Sequence, residues 1–320
     1  MPRRPHVPES LRGRPLTVSD AQAHGITRRA LGGPGWRRVL RGVYVDADTV
    51  IDDPLRVRAL RLVMPDDVAA FGLTAAWLHG AWQPPPQHPL PLHLSVPTAR
   101  CRPGRAPDGG HRSQWWDGDV VEVHGVRATA VMRTAFDLMR HACLVEAVSI
   151  ADSFAYQELL DPLAFAVYVD GHRRWPGVNH CRQAIALSSP LARSAGESRL
   201  RMVAVLGGLP EPLVNPPYYR NDELIGYPDL LLMGPRDRWA GLEYDGAYHL
   251  DPAQRTADLR RENRFVMLGT LPILRYDRNT VARHSERLRA LQEMGHAIGV
   301  RSHGQLPRGA FYDARRPVRW

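Results

Sequence analysis

Four acidic residues between positions 197 and 245 have the types and spacing that phosphodiester chemistry needs. Glu197 opens a helical stretch, Asp229 sits in GYPDLLLMG (226–234), and Glu243 and Asp245 sit in GLEYDGAYH (241–249). A strand directs alternate side chains to one face, so Glu243 and Asp245 are expected to point the same way. The five-residue turn GPRDR (234–238) joins that strand to the one carrying Asp229, and an antiparallel hairpin would bring Asp229 beside Glu243. Carboxylates within ~4 Å of one another repel strongly when partly buried. A hard divalent cation with oxygen ligands relieves that repulsion, and Mg²⁺ (or Mn²⁺) is the usual choice beside phosphate. Such a cation lowers the pKa of a bound water and stabilises charge on the scissile phosphate. All 42 residues counted as lysine plus arginine are arginine, so no lysine can assist.

Each residue also has a plainer explanation. Asp229 follows Pro228 at a strand entry, where turn residues are common, but the three leucines and methionine after it imply burial. Glu243 lies between Leu242 and Tyr244 in an expected central strand, where an unpaired carboxylate is costly. Asp245 precedes Gly246 and would suit a strand-ending turn. Ser194-Ala-Gly-Glu197 reads as a capping box. His249 fits a surface histidine as well as a proton carrier.

The elements that must position these residues follow from periodicity. Residues 194–299 read as a helix (196–207), extended runs at 212–220, 225–233 and 239–245, a helix from about 252 to 268, a strand LPILRY (271–276) and a final helix (280–297). The order is α-β-β-β-α-β-α, and the fold class is α/β (α+β overall). Residues 1–15, rich in proline and arginine, read as disordered. Residues 16–53 read as a winged-helix-like unit: LTVSDAQAHG (16–25), with Ser19 or Thr17 as N-cap, then a helix–turn–helix break at Gly-Gly-Pro-Gly and a hairpin WRRVLRGVYV (36–45). Residues 54–190 form a mixed α/β middle segment, with helices at LRVRALRLV and LTAAWLHGAW. PPPQHP (84–89) breaks the second. Strands are expected at LHLSV and DVVEVHGV, and amphipathic helices at ATAVMRTAFDLMRHA and VEAVSIADSFAYQELL. The tail 300–320 reads as loose and basic.

Arg28, Arg29, Arg37, Arg38 and Arg41 cluster within fourteen residues around the turn and wing. Such a cluster suits phosphates on both sides of a nucleic-acid groove, or is a solvated basic face. Trp36 and Tyr44 are expected in the core of the wing, and Trp115 and Trp116 at a packing seam. Arg133 and Asp137 form an i,i+4 pair that reads as scaffold.

A net charge of +9 and pI near 10.0 point to a polyanionic partner. Codon bias toward arginine accounts for the missing lysine but not for the excess charge. Cys101, Cys143 and Cys181 include no CxxC pair and read as reduced thiols. No apolar run approaches membrane-spanning length, and MPRRPHVPES lacks the apolar stretch of a secretory signal, so a cytoplasmic protein is expected. A lysine-free chain cannot hold a GxxxxGK[ST] phosphate loop, and no G-x-S-x-G elbow is present. No ribonucleoprotein aromatic motif favours RNA.

The segment 194–299 resembles the PD-(D/E)XK nuclease superfamily, in the branch of very-short-patch-repair endonucleases. The resemblance rests on GESRLR (196–201), GYPDL (226–230) and LEYDGAYH (242–249), then a helix carrying Asp258 and Arg261 and a strand with Arg275. It implies a restriction-endonuclease-like αβββαβ core. Asp229 and Glu243 would hold metal, and Glu197 would orient water or a second metal. Asp245 stands where the superfamily has lysine, and His249 is placed to assist as a histidine does in that branch. Asp258, Arg261 and Arg275 would support the site, the arginines by neutralising phosphate or bracing the acids. Residues 16–190 resemble the AbiEi-like antitoxin half of abortive-infection toxin–antitoxin systems, through RRALGGPGWRRVLRGVYV (28–45), TAAWLHG (74–80) and RTAFDLMRH (133–141). That resemblance implies an N-terminal winged helix on DNA and admits a protein partner of toxin–antitoxin type. Two expectations result: a DNA-binding, metal-dependent endonuclease, or a non-enzymatic DNA-binding regulator built on a degenerate nuclease fold.

Overall fold

The structure, a computed structural model, describes residues 7–83, 89–97, 110–246, 271–307 and 309–312. It is mixed α/β and divides into two compact units, residues 1–137 and 138–319.

In the first unit a 3₁₀ turn (Glu9–Leu11) leads to β1 (Leu16–Thr17), α1 (Val18–Ala23), α2 (Arg28–Leu31), β2 (Trp36–Leu40) and β3 (Val43–Asp46). Thr17 rather than Ser19 caps α1, in a capping box with Asp20, and Thr27 caps α2. The strands form a sheet in the order β1-β3-β2. Arg41-Gly42 is the two-residue loop between β2 and β3, and Gly42 takes φ +80°, which a side chain would disfavour. The N-terminal segment is anchored from Val7 onward rather than loose. Leu11 is buried, and Gly13 donates its backbone N–H to Asp46 Oδ2 at 2.8 Å.

The unit continues with α3 (Asp53–Arg61), β4 (Ala69–Ala70), α4 (Gly72–Leu78), β5 (Leu94–Pro97), β6 (Gly110–Ser113), β7 (Val120–Val123), β8 (Val126–Thr129) and α5 (Val131–His141), which spans the division between units. The five strands run β6-β5-β4-β8-β7. DVVEVHGV, expected as one strand, turns at His124-Gly125, both with positive φ, to make the β7–β8 hairpin. The wing is not a separate body. Val39, Leu40, Val43 and Val45 share one apolar core with Leu55, Leu60, Leu78 and Val126, so the hairpin is stabilised by burial it could not achieve alone.

The second unit opens with α6 (Leu144–Tyr156), α7 (Pro162–Gly171), α8 (Val178–Ala186) and α9 (Ala195–Leu206). Then come β9 (Leu213–Val214), β10 (Tyr218–Arg220), β11 (Glu223–Gly226), β12 (Leu230–Met233), β13 (Trp239–Asp245), β14 (Ile273–Asp277), α10 (Arg278–Ala282) and α11 (His284–Ile298). The runs expected at 212–220 and 225–233 each break in two. β10 and β11 pair into a separate hairpin whose turn holds Asn221 and Asp222 at positive φ. The main sheet is β14-β13-β12-β9. β12 and β13 are antiparallel across the GPRDR turn, closed by Gly234 N–H to the Arg238 carbonyl at 2.7 Å. β13 and β14 are parallel, which requires a long crossover between them; the helix expected at 252–268 lies outside the described residues. The C-terminal segment, expected to be loose, is packed over its first part. Leu306, Ala310 and Phe311 are buried, and the Ala310 carbonyl accepts from Val145 N–H at 2.9 Å. Among the described residues no helix is long and apolar enough to cross a membrane.

Candidate functional site

The register of the main sheet assembles the acidic residues. Leu230 pairs with Leu242 on one side and with Val214 on the other. Extending both antiparallel registers by one residue sets Asp229 between Asn215 and Glu243. On the parallel side Glu243 is the partner of Arg275. A lateral row Asn215–Asp229–Glu243–Arg275 therefore crosses four strands at one end of the sheet, the end where β12 begins and β13 finishes.

The polar contacts of this row are local. Asp229 Oδ2 accepts the Tyr244 backbone N–H at 2.9 Å. Arg275 Nη2 lies 3.4 Å from Glu243 Oε2; the arginine side chain is 37% exposed and the glutamate 14%. β13 stays regular through Asp245, so Asp245 shares the Glu243 face, as alternation requires. Asp245 is exposed and paired in register with Asp277. Hydrogen bonding from Thr280 N–H to the Asp277 carboxylate at the cap of α10 lowers the pKa of that acid and keeps it charged.

Glu197 reaches the row from α9. Ser194 Oγ accepts the Glu197 N–H at 3.1 Å, which is half of the capping box. The other half is diverted. Glu197 Oε2 takes the Arg193 N–H at 3.0 Å and the Asn215 side-chain amide, also at 3.0 Å. Asn215 gives its second amide hydrogen to the Leu191 carbonyl at 3.0 Å and its backbone N–H to the Asp229 carbonyl at 2.8 Å. It does so at φ +48°, a conformation that asparagine tolerates better than most residues. Asn215 thus ties the buried Glu197 to the strand entry of Asp229. Sequence reasoning misses this residue, because Asn-Pro-Pro resembles an ordinary turn and its partners lie 18 and 14 positions away.

The rest of GESRLR fixes α9 in place. A Cβ on Gly196 would overlap the Tyr244 ring, so glycine alone allows that ring to lie against the helix. Arg199 grips Glu146 through two 2.7 Å hydrogen bonds. Arg201, fully buried, contacts Glu211 at 3.0 Å and Asp152 at 3.4 Å. Burial pushes the Asp152 carboxyl up, against the opposing effect of Arg201.

Of the expected site residues, Asp229, Glu243 and Arg275 are neighbours and Glu197 joins them through Asn215. His249, Asp258 and Arg261 lie outside the described residues. Among the described residues no three histidine, cysteine, aspartate or glutamate side chains are grouped to hold a metal ion.

The basic candidates lie in the first unit. Arg28 and Arg29 on α2, and Arg37, Arg38 and Arg41 on the hairpin, are all exposed. A bulge between Arg38 and Leu40 breaks the alternation of β2 and turns two consecutive arginines outward. Trp36 is buried with Leu16, Ala21 and Leu31, and Tyr44 packs against them, so both serve the core of the wing. Trp115 donates to Ser95 Oγ at 3.1 Å and lies beneath Arg127, whereas Trp116 is 43% exposed. Arg133 and Asp137 are scaffold, in a buried network with Asp119. No family model matches the chain, and no curated protein matches it either.

Proposed function

We propose that the chain is a DNA-binding protein whose C-terminal unit is a metal-dependent endonuclease of restriction-endonuclease-like architecture. The observation that carries this reading is the row Asn215–Asp229–Glu243–Arg275, with Glu197 tied to it through Asn215. Two hard carboxylate donors beside one another suit Mg²⁺ or Mn²⁺, which proteins often hold by one or two carboxylates, with water and substrate phosphate completing the shell. Asp229 and Glu243 would hold the ion, and when bound it supplies an acidified water and counter-charge for the phosphate. Arg275, at the open edge of the row, neutralises phosphate charge. Glu197, fixed at two hydrogen bonds, orients the attacking water. Asp245 on the Glu243 face, or His249, takes the proton. The exposed arginines of α2 and the wing hold duplex phosphates, as a winged helix does.

A second reading, a non-enzymatic DNA-binding regulator or antitoxin-like protein, is favoured by one observation. Glu243 is answered by Arg275 at 3.4 Å, and Glu197 by Arg193 N–H and Asn215, so both acids have partners without a metal.

A plasmid-nicking assay in Mg²⁺ beside a duplex-binding titration separates the two. On the nuclease reading, Asp229→Ala abolishes nicking and leaves duplex affinity within about twofold. The triple change Arg37→Gln, Arg38→Gln, Arg41→Gln weakens duplex binding and flattens its salt dependence by roughly one unit of slope for each phosphate the chain no longer holds. Nicking that survives Asp229→Ala removes Asp229 from the chemistry. No nicking by the unaltered chain, with duplex binding still weakened in the triple variant, selects the regulator.

A further inference from the structure

The first unit contains a cleft of about 640 Å³, lined in part by Val57, Arg58, Arg61, Trp77, His79 and His124, that neither nuclease nor regulator requires. Its size suits one small molecule, since ligand clefts run to roughly 300–1,000 Å³.

Its charge is unusual. Arg58 and Arg61 stand three residues apart on α3 and so share a helix face. Among the described residues neither forms an ion pair. Arg61 instead donates to the backbone carbonyl of His124. The turn accepts it because Gly125, at φ +69°, has no Cβ; one there would overlap the Arg61 guanidinium. A guanidinium held by a backbone carbonyl keeps its full charge, and its remaining N–H donors are left for a ligand. The one carboxylate lining the cleft, Asp53, accepts on Oδ1 from Arg56 Nη1 at 3.1 Å and from Trp77 Nε1 at 3.2 Å, and it is outnumbered by the two arginines. The cleft is therefore net positive.

His79 adds an acceptor. Its Nε2 lies 2.7 Å from the Thr129 carbonyl, which only accepts, so Nε2 carries the proton and Nδ1 presents a lone pair. Burial lowers the His79 pKa and keeps the ring neutral near pH 7. Two arginines, of which Arg61 is held by the His124 carbonyl, one neutral acceptor and an apolar lining of Val57 and Trp77 make a combination that inorganic anions do not fill.

We propose that this cleft binds a small organic phosphate, a phosphate monoester held by Arg58 and Arg61 with its ring-bearing body over Val57 and Trp77. Free nucleotides and nucleic-acid ends share this chemistry; the bounded volume favours the free molecule.

The test is isothermal titration of the full chain with the four ribonucleoside 5′-monophosphates and glucose 6-phosphate. Inorganic phosphate, adenosine and an unphosphorylated duplex serve as comparators. At least one monoester should bind tenfold or more tighter than inorganic phosphate and adenosine. Arg58→Gln and Arg61→Gln should each weaken it tenfold or more, and the wing triple variant should leave it unchanged. Arg58 is exposed, so Arg58→Gln decides the matter if Arg61→Gln fails to fold. Equal affinity for inorganic phosphate, insensitivity to Arg58→Gln, competition by the duplex, or no binding of any monoester would each overturn the proposal.

Discussion

In the first unit Arg133 holds Asp119 at 2.5 Å and Asp137 at 2.6 Å, with the three side chains at most 7% exposed. The same guanidinium also donates to Ser113 Oγ at 2.5 Å and to the Gln114 carbonyl at 3.1 Å. In the second unit Arg275 meets Glu243 at 3.4 Å, and more than a third of its side chain faces solvent at 37% exposure. The same chemical groups are thus arranged in two ways. The Arg133 network is closed: it uses donors on all three guanidinium nitrogens and locks α5 to β6 and to the residue before β7. The Arg275 row lies at the end of its sheet, where a phosphate can reach the arginine. Burial and saturation mark the first as scaffold, and partial exposure beside neighbouring carboxylates makes the second the candidate site.

The largest effect expected from this contrast is at Arg133. Arg133→Met leaves Asp119 and Asp137 buried without their cation, and breaking a buried pair from one side costs about 3–5 kcal/mol. Arg275→Met should cost less than Arg133→Met, because the Arg275 side chain is 37% exposed and water can take over part of its role beside Glu243. Urea unfolding of the two variants gives both numbers, and equal losses would erase the distinction. Next in size is Gly196→Ala, which pushes a methyl into the Tyr244 ring. Overpacking of this kind costs about 1–3 kcal/mol, and Tyr244→Leu in the same chain should recover most of it. Additive losses in that double-mutant cycle would show that the ring is not what holds Gly196.

The smallest effect lies at Asp46. Burial pushes this carboxyl up, but hydrogen bonds from Thr49 and the Gly13 backbone outweigh it, so its pKa in the folded chain is lowered. The stability it contributes is therefore present above the ordinary carboxylate range and is lost as pH falls through the folded pKa. Asp46→Asn should lower stability at neutral pH and flatten the acid side of the stability–pH curve. An unchanged acid limb would place the acid sensitivity elsewhere.

What could be read from the sequence was local. The apolar periodicity of residues 131–141 and 144–156, the Arg41-Gly42 hairpin and the GPRDR turn all carry signals within a few residues, and the elements occur where those signals lie. The turn at His124-Gly125 was masked by the valines around it, and α7 lacks a clear apolar stripe, exposing Leu163 and Val167. In the candidate site the carboxylates were visible as residue types, and the neighbourhood of Asp229 and Glu243 followed from hairpin geometry. The role of Asn215 was not visible, because it depends on β9 pairing with β12 and on α9 folding back over the sheet. The i,i+4 relation of Arg133 and Asp137 could be seen, whereas Asp119 is joined to them only by tertiary structure.

Isothermal titration of Mn²⁺ into the unaltered chain and into Asp229→Ala and Arg133→Met tests the division between site and scaffold most directly. Binding of about one ion that disappears in Asp229→Ala and is retained in folded Arg133→Met is the predicted result. No binding to the unaltered chain, or binding that Asp229→Ala leaves intact, would contradict it and return the row to an ion pair that only braces the sheet.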